Sequence, residues 1–186
     1  IKEVNNINAY LIDAKNIYIK KRSNPLSDFK DICFGSMPND GGCLILSLKE
    51  KNELLNKYPQ ASVLIKSLLG SQEFIRGEDR FCLWITDEFK EIAFSIPEIT
   101  NRINMCWDLR RKSKRGATNI LADSPYKFGE IRHIDTNSII IPSVSSERRD
   151  YIPMGFLNKD TVISNAAMAI YDAELWLFGV LTSRMH

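Results

Sequence analysis

Apolar residues in this chain come in short runs, several of them bounded by Pro, Gly, Asp or Asn, and the most legible helical period is the one opened by Pro97. Such punctuation favours short strands and helices joined by ordered loops. Residues 9–12 and 17–19 read as short strands joined by a turn, and 23–42 as an ordered loop built on Asn24, Pro25, Gly35, Pro38, Asn39, Asp40, Gly41 and Gly42. A buried strand follows at 43–46, then helical patterns at 49–58 and 60–69, divided by Pro59 and stopped by Gly70. Strand signals recur at 81–85, 128–134, 138–141 and 151–156. From Pro97, Ile99, Ile103, Cys106 and Leu109 recur near helical period, with Glu98 at the start and a basic cluster at the end, matching the helix dipole.

The expected fold is α+β: a single compact domain over 1–186, with short mixed or antiparallel strands and packed helices. At 186 residues and 44% apolar content the chain can bury a real core, and a 26% charged fraction keeps it far from disordered or fibrous compositions. No internal repeat divides it. No run of about 18 apolar residues is present to cross a membrane, so a cytoplasmic setting is expected. Cys33, Cys43, Cys82 and Cys106 have no Cys-x-x-Cys pairing and read as buried thiols rather than a disulfide or zinc framework.

Net charge is only +2, from 25 Lys and Arg against 23 Asp and Glu. A polyanion would therefore have to be met by local basic groups. Between 102 and 115, Arg102, Arg110, Arg111, Lys112, Lys114 and Arg115 face the single acid Asp108; Arg111, Lys112 and Arg115 fall roughly opposite Ile99, Ile103 and Cys106, whereas Arg110 does not fit that division. Arg132 with His133, Arg148 with Arg149, and Lys20 with Lys21 and Arg22 are further groups. Phosphate contacts are expected from Lys21, Arg22, Arg111, Lys112, Lys114, Arg115 and Arg132, with Ser145 and Ser146 completing the positioning. Glu147 has the chemistry to accept from a cytosine amino group and Arg148 and Arg149 to donate to guanine, so these three, with His133, are the base-reading candidates. A solvated helix end and an exposed ion pair are the alternative roles of these clusters.

The segment Phe34-Gly35-Ser36-Met37-Pro38-Asn39-Asp40-Gly41-Gly42 is neither a Walker loop nor a dinucleotide fingerprint, and Ser36, Asn39 and Asp40 are its candidate contact residues. Asp87-Glu88-Phe89-Lys90 offers the acids and lysine of a metal nuclease without the geometry that such chemistry needs. Asp123-Ser124-Pro125-Tyr126 lacks the second Pro of the loop with which amino-group methyltransferases hold a flipped base. Trp107, Tyr151 and Trp176 are expected in the core. From the residues alone, a DNA-recognition module, a divergent metal-dependent nuclease and a structural protein-interaction domain all stay open.

The segment at 34–42 is followed in order by Gly70-Ser71-Gln72-Glu73-Phe74-Ile75, Arg80-Phe81-Cys82-Leu83-Trp84, Ser113-Lys114-Arg115-Gly116-Ala117-Thr118 and Val144-Ser145-Ser146-Glu147-Arg148-Arg149-Asp150-Tyr151-Ile152-Pro153. Together these resemble the target-recognition domain of the MmeI-like (type IIG/IIL) family of single-chain restriction-modification enzymes. The resemblance implies a parent adenine-specific DNA methyltransferase that uses S-adenosylmethionine. It also implies, in many relatives, a nuclease domain on the same chain with its divalent metal. Their catalytic motifs lie upstream of the recognition domain, so this chain is expected to be a fragment, monomeric in isolation, with no catalytic residue or cofactor of its own. Its expected partners are double-stranded DNA and the methyltransferase domain of the parent chain. The resemblance places base reading around Glu147, Arg148 and Arg149, and phosphate contact or scaffolding at Lys114 and Arg115.

Overall fold

The structure is a computed structural model that describes residues 3–4, 6–18, 21 and 28–183. Two four-stranded sheets carry the fold. In the first, β1 (Cys33–Phe34), β8 (Ala167–Tyr171), β5 (Ser138–Pro142) and β6 (Gly155–Leu157) lie side by side, all antiparallel. In the second the order is β2 (Ile45–Leu46), β4 (Phe81–Leu83), β3 (Ile65–Leu69) and β7 (Thr161–Ile163), antiparallel except for the parallel β3–β7 pair. The architecture is α+β with mixed and antiparallel strands.

Strand β5 is buried along its whole length because both of its faces are covered. Side chains alternate across a strand, so Ile139 and Ile141 pack with Ile170, Ala173 and Leu177, the last from helix α6 (Leu175–Leu181). Ile140 faces the other way and packs with Ile163 of β7, against which Leu69 of β3 also lies. The largest core lies around the second sheet, where Leu46, Leu64, Leu68, Cys82 and Leu83 meet Leu54 of α1 (Leu48–Lys57), Ala93 of α3 (Lys90–Ser95) and Ile99, Ile103 and Cys106 of α4 (Pro97–Arg111). The chain passes between the sheets beside Gly35. A Cβ there would lie 2.3 Å from the Ile163 carbonyl oxygen and 2.4 Å from that of Ser164, so only glycine permits this approach.

Several elements differ from the sequence expectation, each for a local reason. Residues 9–12 form a turn, since the Asn8 side chain accepts from the amides of Tyr10 and Ile12. Of the strand expected at 17–19, residue 19 lies outside the described residues and 17–18 form none. The helix expected at 60–69 is a 3-10 turn (Pro59–Leu64) running into β3. Its apolar run suits either element, and pairing with β4 and β7 decides for the strand. Residues 128–134 form no strand. Glu130 makes one isolated bridge to Met37, and the Ser36 hydroxyl accepts from the Arg132 and His133 amides, so a side chain replaces the ladder. Residues 161–163 and 167–171 carried no strand expectation and form β7 and β8.

Candidate nucleic-acid interface

Strands β5 and β6 are joined by a long loop, residues 143–154, which stands out as a finger from the first sheet. Its root is fixed by Ser71, the first residue of helix α2 (Ser71–Arg76): the Ser71 hydroxyl accepts from the Ser143 amide at 3.1 Å and donates to the Ala166 carbonyl. The Ser143 hydroxyl donates to the same carbonyl at 3.1 Å. The tip is a tight turn in which the Arg149 amide donates to the Ser146 carbonyl at 3.1 Å and the Arg148 amide to the Ser146 hydroxyl at 3.3 Å. Glu147 and Arg148 therefore occupy the two central positions of the turn, with Arg149 next. Residues 144–152 are all exposed, and among the described residues the side chains of Glu147, Arg148 and Arg149 have no hydrogen-bond or ion-pair partner. Charged groups held apart from internal partners keep their hydrogen-bonding capacity for a ligand.

The second basic surface is the end of α4. Exposed Arg111, Lys112, Lys114 and Arg115 lead into helix α5 (Gly116–Ile120). Arg111 and Asn119 bind reciprocally, guanidinium to Asn119 Oδ1 at 3.3 Å and Asn119 Nδ2 to the Arg111 carbonyl at 2.6 Å. The Ser113 hydroxyl accepts from the Arg115 amide at 3.2 Å. The charges of Lys112, Lys114 and Arg115 are unpaired among the described residues.

Arg110 is the opposite case. It is 0% exposed and donates to five backbone carbonyls: Pro38 and Lys127 at 2.8 Å, Asn39 at 3.0 Å, and Leu121 and Ser124 at 3.1 Å. The sequence carried a signal for this, because Arg110 continues the stripe Ile99, Ile103, Cys106 at helical spacing. Leu109, expected on that stripe, is exposed at 43% and packs over Gly41 instead.

The 34–42 segment turns inward. Ser36 and Asp40 are buried and engaged with backbone: Ser36 as above, Asp40 accepting from the Gly42 and Leu44 amides. Their polar atoms are engaged in organising the loop. Asn39 is half-buried, its side-chain amide 3.5 Å from the Thr118 hydroxyl, and its left-handed backbone (φ 47°) aims its carbonyl at Arg110.

His133 is likewise internal. Its side chain is 2% exposed, lies edge-on to the rings of Trp84 and Tyr171, and meets Lys66 and Asp135 through Nε2 at 3.3 Å each. Burial, and then Lys66, push its pKa below the usual value, although Asp135 pulls upward. A neutral, enclosed imidazole is poorly placed to reach a base edge. Arg132 is partly held by Glu130 and the Phe34 carbonyl. Lys21 is exposed, and Arg22 lies outside the described residues.

Of the residues expected to carry other chemistry, Asp87 accepts from the Tyr126 hydroxyl at 2.7 Å and Lys127 at 2.6 Å, which links two loops. Among the described residues no group of three or more His, Cys, Asp or Glu side chains converges to hold a metal, and no helix is long and apolar enough to cross a membrane. Trp107, Tyr151 and Trp176, expected in the core, are each about half exposed. Trp176 lies tilted against Phe29, their ring centroids 5.7 Å apart, while Tyr151 stands on the finger.

The family model described as "MmeI, target recognition domain" matches residues 13–186. DNA methyltransferase A of Bacillus subtilis (strain 168) is 45% identical over 185 residues, covering 100% of this chain and 21% of the relative. The type IIL restriction-modification enzyme MmeI, solved in complex with DNA, superposes with a TM-score of 0.82 at 34% identity, covering 98% of this chain and 24% of MmeI. The chain thus spans between a fifth and a quarter of the length of these relatives.

Proposed function

From the premise that the chain belongs to the MmeI target recognition domain family, we propose that it recognises a specific double-stranded DNA sequence on behalf of a restriction-modification enzyme. In this reading the parent methylates adenine at N6. The observation that carries it is the finger, whose three charged tip residues stand in solvent on a turn held at its root by Ser71 and Ser143. A rigid root with free donors and acceptors at the tip suits a groove, where fixed geometry decides which base edge is satisfied. Glu147, Arg148 and Arg149 select bases. Lys112, Lys114 and Arg115, with Arg111, hold phosphates, and Ser145 and Ser146 shape the turn.

In the same reading S-adenosylmethionine, and a divalent metal where a nuclease is present, belong to other domains of the parent. The partner in cis is the methyltransferase domain, which acts on the base that the bound complex extrudes. Sequencing the methylation products of the full-length parent is the test. Glu147→Lys, Arg148→Ala and Arg149→Asp should each move or relax the preference at particular target positions while methylation continues. An unchanged target with uniformly lowered activity would instead assign these residues to phosphate contact or to loop scaffolding.

A further inference from the structure

The finger carries apolar surface as well as charge. Val144 on its outgoing leg is 74% exposed, and on the returning leg Tyr151 is 52% and Ile152 49% exposed. Val144 lies two residues before Ser146 and Tyr151 two residues after Arg149, so the two bracket the turn. Several aromatic side chains pair with another ring, Phe29 with Trp176, Phe94 with Tyr126, Trp84 with Phe128 and Phe156 with Phe178, whereas, among the described residues, Tyr10, Tyr18, Phe34 and Trp107 are exposed without one. Among the described residues Tyr151 has neither a ring partner nor a cation over its face, and its hydroxyl makes no hydrogen bond. An exposed aromatic ring beside two free guanidinium groups presents a π-face together with positive charge. The adjacent cations make a polyanion the fitting occupant.

We propose that Tyr151 is a base-stacking residue, its ring packing in the complex against the face of a base next to those read by Glu147, Arg148 and Arg149, with Val144 closing on the same step from the opposite leg. The inference rests on the recognition reading above and adds a shape term to it. Stacking makes the complex sensitive to how easily that step opens, so sequence is felt at a position where no hydrogen bond reads it. The ring supplies this through its face, and the hydroxyl is dispensable.

The full-length parent enzyme tests this with duplexes in which 5-iodouracil replaces one thymine at a time in and beside the target. Irradiation couples an aromatic ring stacked on the halogenated base, and mass spectrometry identifies the residue. A cross-link is expected at Tyr151 from one position, kept in Tyr151→Phe and lost in Tyr151→Ala. The alanine variant should bind specific DNA about tenfold more weakly, with the salt dependence of binding unchanged, because no phosphate contact is removed. The proposal is overturned if no position cross-links to residue 151, if Tyr151→Ala binds as tightly as the wild type, or if phenylalanine loses as much as alanine. Should the alanine variant fail to fold, Tyr151→Leu replaces it, keeping bulk without a π-face: weakened binding supports stacking and retained binding sinks it. The recognition reading fails separately, when changes at 147–149 leave the methylated sequence unmoved.

Discussion

A buried cation without a facing carboxylate is rare, and Arg110 shows what makes one tolerable. Its guanidinium has five N–H donors in a fixed plane, and five carbonyls from residues 38, 39, 121, 124 and 127 converge on them. None of those carbonyls belongs to a strand ladder, so the arginine stands in for one where two stretches of chain, 38–39 and 121–127, meet at the end of α4. Arg110→Met would strip the Asn39 and Lys127 carbonyls of their donor and take a second donor from those of Pro38, Leu121 and Ser124, which also accept from the Gly129, Ser124 and Lys127 amides, and a loss of about 3–5 kcal/mol is expected from the urea midpoint. Arg110→Lys keeps the charge but offers three donors from one point, so an intermediate loss of about 1–3 kcal/mol follows. Equal stability of wild type and the methionine variant would show that water replaces the clamp. Helical phase along 102–115 already set Arg110 apart from the phosphate binders without assigning it a role. The phase it shares with Cys106 accounts for that separation, whereas the five acceptors are brought together only by the tertiary fold.

At the scale of elements, helix α1 starts with a reciprocal cap that also ties three elements together. The Ser47 hydroxyl accepts from the Glu50 amide at 3.3 Å, and Glu50 accepts from the Ser47 amide at 2.8 Å and its hydroxyl at 2.7 Å. Arg102 of α4 pairs with the same carboxylate and donates to the carbonyls of Cys43 and Ile45 at 3.1 and 3.2 Å. The Ser47 hydrogen bonds first, and Arg102 after them, lower the Glu50 pKa from 4.5 to about 2. A carboxyl group depressed on folding stabilises the protein above its unfolded pKa and loses that contribution as pH falls through the folded one. Stability should therefore decline between about pH 4.5 and pH 2, and Glu50→Gln should flatten that decline. With the Glu50 side chain 43% exposed, solvent screening limits the effect near neutral pH to about 1 kcal/mol. Acid titration of both proteins by circular dichroism checks it, and parallel curves would count against the assignment. Elements with a strong local signal, such as α1 and the Pro97 helix, were legible in the sequence. Strand β3 was not, since Val63, Leu64 and Ile65 suit a helix as well as a strand and only its neighbours in the sheet decide. The finger was legible as a motif, but the exposure of Tyr151 was not, because an aromatic between Asp150 and Ile152 reads as a core residue until the strand is seen to start at Gly155.

Over the whole molecule, the modest net charge is explained by where the acids sit. Asp172 pairs with Lys30, Glu98 with Lys57, Asp135 with Lys66, Glu73 with Arg80, Glu50 with Arg102, Asp87 with Lys127 and Glu130 with Arg132. None of these acids is directed at Lys112, Lys114, Arg115, Arg148 or Arg149, so the positive potential that a polyanion meets comes from the α4 end and the finger rather than from the total. Acting through phosphates, the α4 end should contribute affinity that is blind to sequence and steep in salt. Acting through base edges, the tip of the finger should contribute discrimination with little effect on that slope. Replacing Arg111, Lys112, Lys114 and Arg115 by glutamine should weaken binding to specific and random duplexes alike, and lower the slope of log K against log salt by about 0.9 for each phosphate contact removed. Fluorescence anisotropy of the parent enzyme on both duplexes across a salt series measures the two quantities together. A quadruple variant that loses only its preference for the target, with its slope intact, would exchange the two roles and make the α4 end the reader.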